Sequence, residues 1–325
     1  MVTPAAPLRI VFFGTPEFAI PTLLALLESR HTVAAVVTQP DRARGRGHRA
    51  HAAPVKQLAL DRGVAILEPE RLREEPFLAS LRAIDADLGV VAAYGKILTD
   101  AVLQIPRLGL LNVHASLLPK FRGAAPIHRA VLAGETETGV TIMRVVKALD
   151  AGPMIAKVKW PISPDDTAIE IETELARLGA RALVDAVDAL EDGRAVETPQ
   201  EDAEATYAHK IEKSDGIIDW ANPAIQIHNQ IRGLHPWPHA FSDLSGQRLI
   251  LLRSRVEAIG SGERAAEPGT ILDANGDRLT VQTGEGVLRL LVMQREGRRP
   301  VSAQEFLSGR LTAPGEKFVR SHTGA

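Results

Sequence analysis

Short apolar runs alternate, along the first part of the chain, with longer stretches whose apolar positions recur at helical spacing. Residues 8–13 (LRIVFF), 32–38 (TVAAVVT), 64–67 (VAIL), 83–93 and 108–114 (LGLLNVH) read as strands, several of them continuous enough to be buried on both faces. FAIPTLLALLES and residues 55–61 read as helices between them. Gly-Thr-Pro after the first run gives a helix start, with Thr15 as N-cap and Pro16 at the first helical position. This succession predicts an α/β fold, a doubly wound and mostly parallel sheet with helices on both faces.

The pattern then changes. GVTIMRVV and MIAKVKWPI flank KALDAGP, and residues 165–192 read as a long amphipathic helix that Gly193 stops. Residues 194–207 are polar, with Pro199 and several acids, and read as a linker. Beyond them a helix around 223–232 precedes short strands punctuated by SGQ, ANGD and TGEG, the signature of a small β-barrel or sandwich. The expected organisation is a doubly wound domain over 1–193, a linker over 194–207 and a second domain over 208–325.

Composition narrows the function classes. The length, 325 residues, is long for one core and agrees with two domains. Without cysteine there is no disulfide, thiolate metal site or cysteine nucleophile. No apolar stretch approaches the ~20 residues that span a bilayer, and the first apolar run is too short for a signal sequence. A cytoplasmic enzyme or binding protein is expected. The formal net charge of −2 gives the whole molecule no strong pull toward polyanions, so local clusters matter more.

Three stretches carry candidate chemistry. GTPEF occupies the place of a dinucleotide fingerprint, but G-x-G-x-x-G is absent and Glu17 is unfavourable beside a pyrophosphate. The sheet is therefore expected not to bind NAD, with Gly14 a turn residue. PDRARGRGHRAH sets Arg42, Arg44, Arg46 and Arg49 among glycines, beside His48 and His51, at the sheet edge where ligands approach. A solvated loop and an arm laid along phosphates both fit it. In LLNVHASLLPKFRGAAPI, strand alternation puts Asn112 and His114 on one face and Val113 on the other.

Asp150, in KALDAGPM, can join Asn112 and His114. An Asn amide donating to a carbonyl oxygen, a His stabilising the oxyanion and an Asp orienting the imidazole suit transfer of a small acyl group. An amine acceptor would need no protein nucleophile. Each residue alone also fits a structural role, and the set has meaning only if the three meet in space. In SLLPKFRGAAP, Pro119 and Gly123 fix the backbone, and Arg122 either anchors a carboxylate or holds the loop. An ordinary loop entering a helix near Ala125 fits as well.

FFGTPEF, TQPDRARGRG, VVAAYGKIL, NVHASLLPKFRGAAPI, ETGVTIMRVVKALDAGPM and HPWPHAF occur in that order. Together, from Leu8 to the SAQEFL segment, the chain resembles the folate-dependent formyltransferase family. N-x-H followed by SLLPxxRGxxP is specific to it, and the basic loop and C-terminal extension resemble those members that act on tRNA. The resemblance implies a Rossmann-like first domain and an OB-like β-barrel that helps hold tRNA. It implies a metal-free monomer that moves the formyl group of 10-formyltetrahydrofolate to the α-amine of initiator methionyl-tRNA, for translation initiation.

Residue by residue, it implies Asn112, His114 and Asp150 as catalytic and Ser116, Leu117, Leu118 and Pro119 as the folate loop. Arg42, Arg44, Arg46 and Arg49 would reach the tRNA acceptor end, Arg42 foremost. Departures are Ala115 for a frequent Gly, Ala151 for a frequent Thr, His48 and Arg49 for lysines, and HPWP for NPWP. The first two are small and should preserve geometry. A sugar-nucleotide N-formyltransferase would share the N-x-H motif but not the Arg-rich insertion. A non-catalytic tRNA-binding homologue would not need the intact Asn112, His114 and Asp150. Arg295, Arg298, Arg299 and Lys317 fit phosphate contacts and solvated charges equally.

Overall fold

The computed structural model of the chain describes residues 6–41, 52–257, 266–309 and 312–321. The chain divides into two compact units. One holds residues 1–126, 137–161 and 172–208; the other holds 127–136, 162–171 and 209–325.

The first unit is built on a seven-stranded sheet. Strands β1 (Arg9–Gly14), β2 (Thr32–Val37), β3 (Ala65–Leu67), β4 (Leu88–Ala92) and β5 (Leu110–His114) run parallel in the order β3-β2-β1-β4-β5. The chain winds outward in one direction from β1 and in the other from β4, so a crevice opens at their carboxyl ends. Five of the six residues of β1 are buried, as a strand covered on both faces requires. Val11 and Phe13 point toward α3 (Glu75–Ala83), where they share a core with Phe77, Leu78 and Leu81. The helices α1 (Ile20–Glu28), α2 (Pro54–Asp61) and α4 (Asp100–Leu103) fill the crossovers.

Residues 83–93 are not one strand: Ala83 ends α3, and only Leu88–Ala92 pair with β1. Thr15 caps no helix. A 3-10 turn over Glu17–Ala19 precedes α1, Ala19 is the N-cap of α1 itself, and neither has a side-chain cap. The Thr15 hydroxyl donates instead to the Tyr94 carbonyl, which also accepts from Gln39 Nε2 at 2.7 Å. These bonds knot three loops at the crevice. Gly14 is the last residue of β1, not a turn residue, and a Cβ there would lie 2.6 Å from the Phe12 ring.

Beyond β5 come β6 (Arg122–Gly123) and α5 (Pro126–Leu132), which leads into β7 (Glu137–Arg144) and β8 (Met154–Pro161). These last two strands extend the sheet antiparallel, β7 beside β5, so the sheet is mostly rather than wholly parallel. The edge strand β8 alternates, with Lys157 and Lys159 exposed, which suits an edge guarded against further pairing. α6 spans Ala168–Glu191, and Gly193 follows at φ 68°, the left-handed stop its sequence predicts.

In the second unit, α7 (Ala224–Gly233) packs on an antiparallel sheet. Its strands are β10 (Ala240–Leu244), β11 (Gln247–Glu257), β12 (Ile271–Asn275), β13 (Arg278–Gln282), β14 (Val287–Arg295), β15 (Pro300–Ser302) and β16 (Phe318–Val319). The path β12-β13-β14-β11-β10-β16 curls, with β15 on β14, and an isolated bridge from Thr270 to Lys317 brings its two ends together. The turn at Ser245-Gly246 has both residues at positive φ, matching the right-handed twist of its hairpin. α8 (Ala303–Ser308) starts on a reciprocal capping box between Ser302 and Glu305. Trp220 centres the core, its indole N–H donating to Ser242 at 2.9 Å and its ring 5.1 Å from Phe318. Among the described residues no helix is long and apolar enough to cross a membrane.

Candidate active site

Strand β5 delivers the first two residues. Val113 points to α6, where the absent side chain of Gly179 leaves it room, so Asn112 and His114 occupy the opposite face at the strand's carboxyl end. Asn112 is half-buried and His114 is buried. Asp150 lies in the loop between β7 and β8, at φ 46°, a left-handed conformation that Asp tolerates better than most residues. That loop brings the Asp150 Oδ2 to 3.7 Å from His114 Nδ1.

The imidazole is held in one tautomer. His114 Nε2 lies 3.0 Å from the Phe121 carbonyl. A carbonyl only accepts, so Nε2 carries the hydrogen, and Nδ1 is the nitrogen left facing Asp150. The carboxylate is fixed from the other side by the Gly123 N–H, which donates to Oδ2 at 2.9 Å. Gly123 has φ 122°, and a Cβ there would sit 2.8 Å from the Ala208 carbonyl. Only glycine brings its amide so close without strain.

The loop after His114 is self-bonded. Ser116 Oγ donates to the Lys120 carbonyl at 2.6 Å. The wholly buried Thr141 donates to the Ser116 carbonyl at 2.7 Å and accepts from the Leu118 N–H at 3.1 Å. Ser116 and Leu118 are buried, while Leu117 and Pro119 are half-buried. The half-buried positions of this turn are therefore Leu117, whose side chain packs over Gly139 of β7, and Pro119. Arg122, 3% exposed, donates to Gln200 and Asp202 rather than to backbone carbonyls.

The structure thus brings together His114 and Asp150 and puts Asn112 on the face of His114. Arg42, Arg44, Arg46 and Arg49 lie outside the described residues. Sequence reasoning missed Thr141, in the buried run of β7, and Gln200 and Thr206, in the polar stretch 194–207, whose side chains hold the site's loops. Among the described residues, His31, Asp188 and Glu191 come close enough to hold a cation. The Arg30 guanidinium already fills that cluster, pairing with Asp188 at 2.8 Å and Glu191 at 2.5 Å.

The chain matches the formyl transferase family over residues 8–187 and the formyl transferase C-terminal domain over 210–311. A methionyl-tRNA formyltransferase of Stutzerimonas stutzeri is 48% identical over 95% of this chain and 98% of its own. One of Solibacter usitatus is 45% identical over 97% and 100%. An N-formyltransferase from Helicobacter canadensis, solved with folinic acid and dTDP-3-aminofucose, superposes with a TM-score of 0.65 at 15% identity, covering 89% of this chain and 99% of that one. HypX from Aquifex aeolicus, solved with tetrahydrofolic acid, gives 0.63 at 18% identity over 97% of this chain and 51% of its own. These two likenesses establish the fold.

Proposed function

The chain belongs to the methionyl-tRNA formyltransferase family, and on that premise we propose how its residues carry out formyl transfer to the α-amine of initiator methionyl-tRNA. The donor is 10-formyltetrahydrofolate, which supplies an activated formyl group. The chain acts as a monomer in the cytoplasm, at the start of translation.

His114 carries the reading. Its Nε2–H is committed to the Phe121 carbonyl, so a second hydrogen on Nδ1 makes it an imidazolium facing the Asp150 carboxylate. Its Nδ1–H, with Asp150 Oδ2 at 3.7 Å and beyond hydrogen-bond distance, is the hydrogen left to donate to an oxyanion while the carboxylate offsets the charge. Asn112, on the same face, supplies a second donor through its amide. The attacking amine must be neutral. As it adds to the formyl carbon, Asn112 and His114 take up the charge that develops on the formyl oxygen. Asp150 accepts the proton shed by the amine, and His114 and Asp150 together pass it to the departing nitrogen. The C–N bond to the donor breaks as the new C–N bond is completed, with no covalent link to the protein.

Leu117 and Pro119, with the backbone of Ser116 and Leu118, line the side on which the folate lies. Arg42, Arg44, Arg46 and Arg49 supply the positive charge for the acceptor end. Arginines on phosphates position a nucleic acid without reading its sequence, so choice of the initiator comes from other contacts. The unit that contains residues 209–325 holds the body of the tRNA.

The test offers labelled 10-formyltetrahydrofolate with initiator methionyl-tRNA in one reaction and a dTDP-linked amino sugar in another. Label is expected on the methionyl-tRNA alone. Label on the sugar alone would replace the acceptor, and label on neither, with tRNA bound, would mean a binding protein.

A further inference from the structure

Residues 194–207 have the composition of connecting chain, yet several of them hold the site. Thr198 pairs with Met154 through both backbone bonds at 2.8 Å. Thr206 takes the Phe121 N–H on its hydroxyl at 2.9 Å and the Arg122 N–H on its carbonyl at 2.8 Å. This register continues as a short parallel pairing between β6 and β9 (Tyr207–Ala208).

Gln200 does the most. Its Nε2 donates to the carbonyls of Asp150 and Gly152, each at 2.8 Å. Its Oε1 accepts from Arg122 Nε at 3.0 Å, which fixes which end of the amide faces which partner. Two carbonyls aimed at one point repel unless a double donor stands between them, and an amide NH2 is a neutral group that provides it. Asp150 also sits at φ 46°, a left-handed conformation that the bonds to its loop help to hold.

The bonds close into a ring. Phe121 holds His114 through its carbonyl, and Gly123 holds the Asp150 carboxylate through its N–H. Arg122, between them, holds Gln200, and Gln200 holds the Asp150 backbone. The distance from Asp150 to His114 therefore depends on Gln200.

We propose that Gln200 is a positioning residue for formyl transfer, fixing the Asp150 loop so that its carboxylate meets the His114 ring. This rests on the reading of His114 and Asp150 as the catalytic pair. Gln200→Glu keeps the shape but replaces the double donor with an acceptor, and Gln200→Leu removes both ends. Formyl transfer to initiator methionyl-tRNA is measured for both variants in the full chain, alone and with Asp150→Ala, by single turnover where rates are low.

Each variant is expected to lower kcat by about 10–100-fold, as small misplacements of reacting groups do, while KM for both substrates stays within about twofold. With Asp150→Ala the further loss on changing Gln200 should vanish, because coupled residues are not additive. A purely structural role would give the same loss in either background. Wild-type kcat in both variants, a loss confined to KM, or an undiminished loss beside Asp150→Ala overturns the positioning role alone. A wild type that transfers no formyl group overturns the catalytic pair and, with it, this proposal.

Discussion

Thr141 shows how much rests on single polar atoms around this site. Its hydroxyl is wholly buried and serves two backbone groups of the 116–118 turn. Thr141→Val keeps the shape and leaves the Ser116 carbonyl and Leu118 N–H without that partner. Unpaired buried groups of this kind cost about 1–3 kcal/mol. Urea unfolding of the variant should show a loss in that range, and KM for the folate donor should rise more than kcat falls. Unchanged stability would mean that the turn finds other partners. The shared face of Asn112 and His114 was legible in the sequence because the strand period fixes which side chains lie together, whereas Asp150, on a loop with no such period, was a candidate by its chemistry alone. Thr141 and Gln200 were not legible. Their role depends on which carbonyls arrive beside them, and that is decided by tertiary pairing of distant segments.

At the scale of elements, the buried parallel strands were the most legible, because continuous apolar runs bounded by turns leave little choice. The boundaries that failed have physical causes. Residues 83–93 carry apolar residues on both sides of a break at Asp85, whose φ of 51° ends α3 before β4 begins. The antiparallel direction of β7 was hidden because a strand's pattern of burial does not record its polarity. α6 has a close approach that its amphipathic pattern does not announce. At Gly179 a Cβ would meet Val113 at 2.7 Å, on the strand that carries Asn112 and His114. Gly179→Leu should therefore destabilise the protein by about 1–3 kcal/mol through overpacking. It should also lower formyl transfer by shifting β5, which paired activity and urea measurements would show. Full activity at wild-type stability would mean that α6 moves aside freely.

At the scale of the whole molecule, the division of the chain does not follow the sequence order. Residues 162–171 belong with the C-terminal strands, and their backbone is held there by buried side chains of α7. Arg232 donates to the Asp166 carbonyl at 3.0 Å, and His228 donates to the Pro164 carbonyl at 2.9 Å. Burial pushes the His228 imidazole below its ordinary pKa, as suits a neutral ring between that carbonyl and Ser254. In the same segment, hydrogen bonds from Arg253 and Thr167 hold the Glu170 carboxyl down to about 2.

A depressed carboxylate stabilises the fold above its unfolded pKa of 4.5, and the contribution is lost as the pH falls from there toward 2. Glu170 is half exposed, so the effect is at most about 1 kcal/mol. Glu170→Gln should lower stability at pH 7, and the gap should narrow by pH 3. A gap that widens at pH 3 would contradict the assignment. None of these pairings follows from hydropathy, since they join residues far apart in sequence. The central claim is that Asn112 and His114 share a face in order to reach one formyl oxygen. Its most direct test is single-turnover formyl transfer to initiator methionyl-tRNA by folded Asn112→Ala and His114→Ala. A loss of about 10²–10³-fold for the first, and at least as much for the second, is the predicted result; wild-type turnover in either would contradict it.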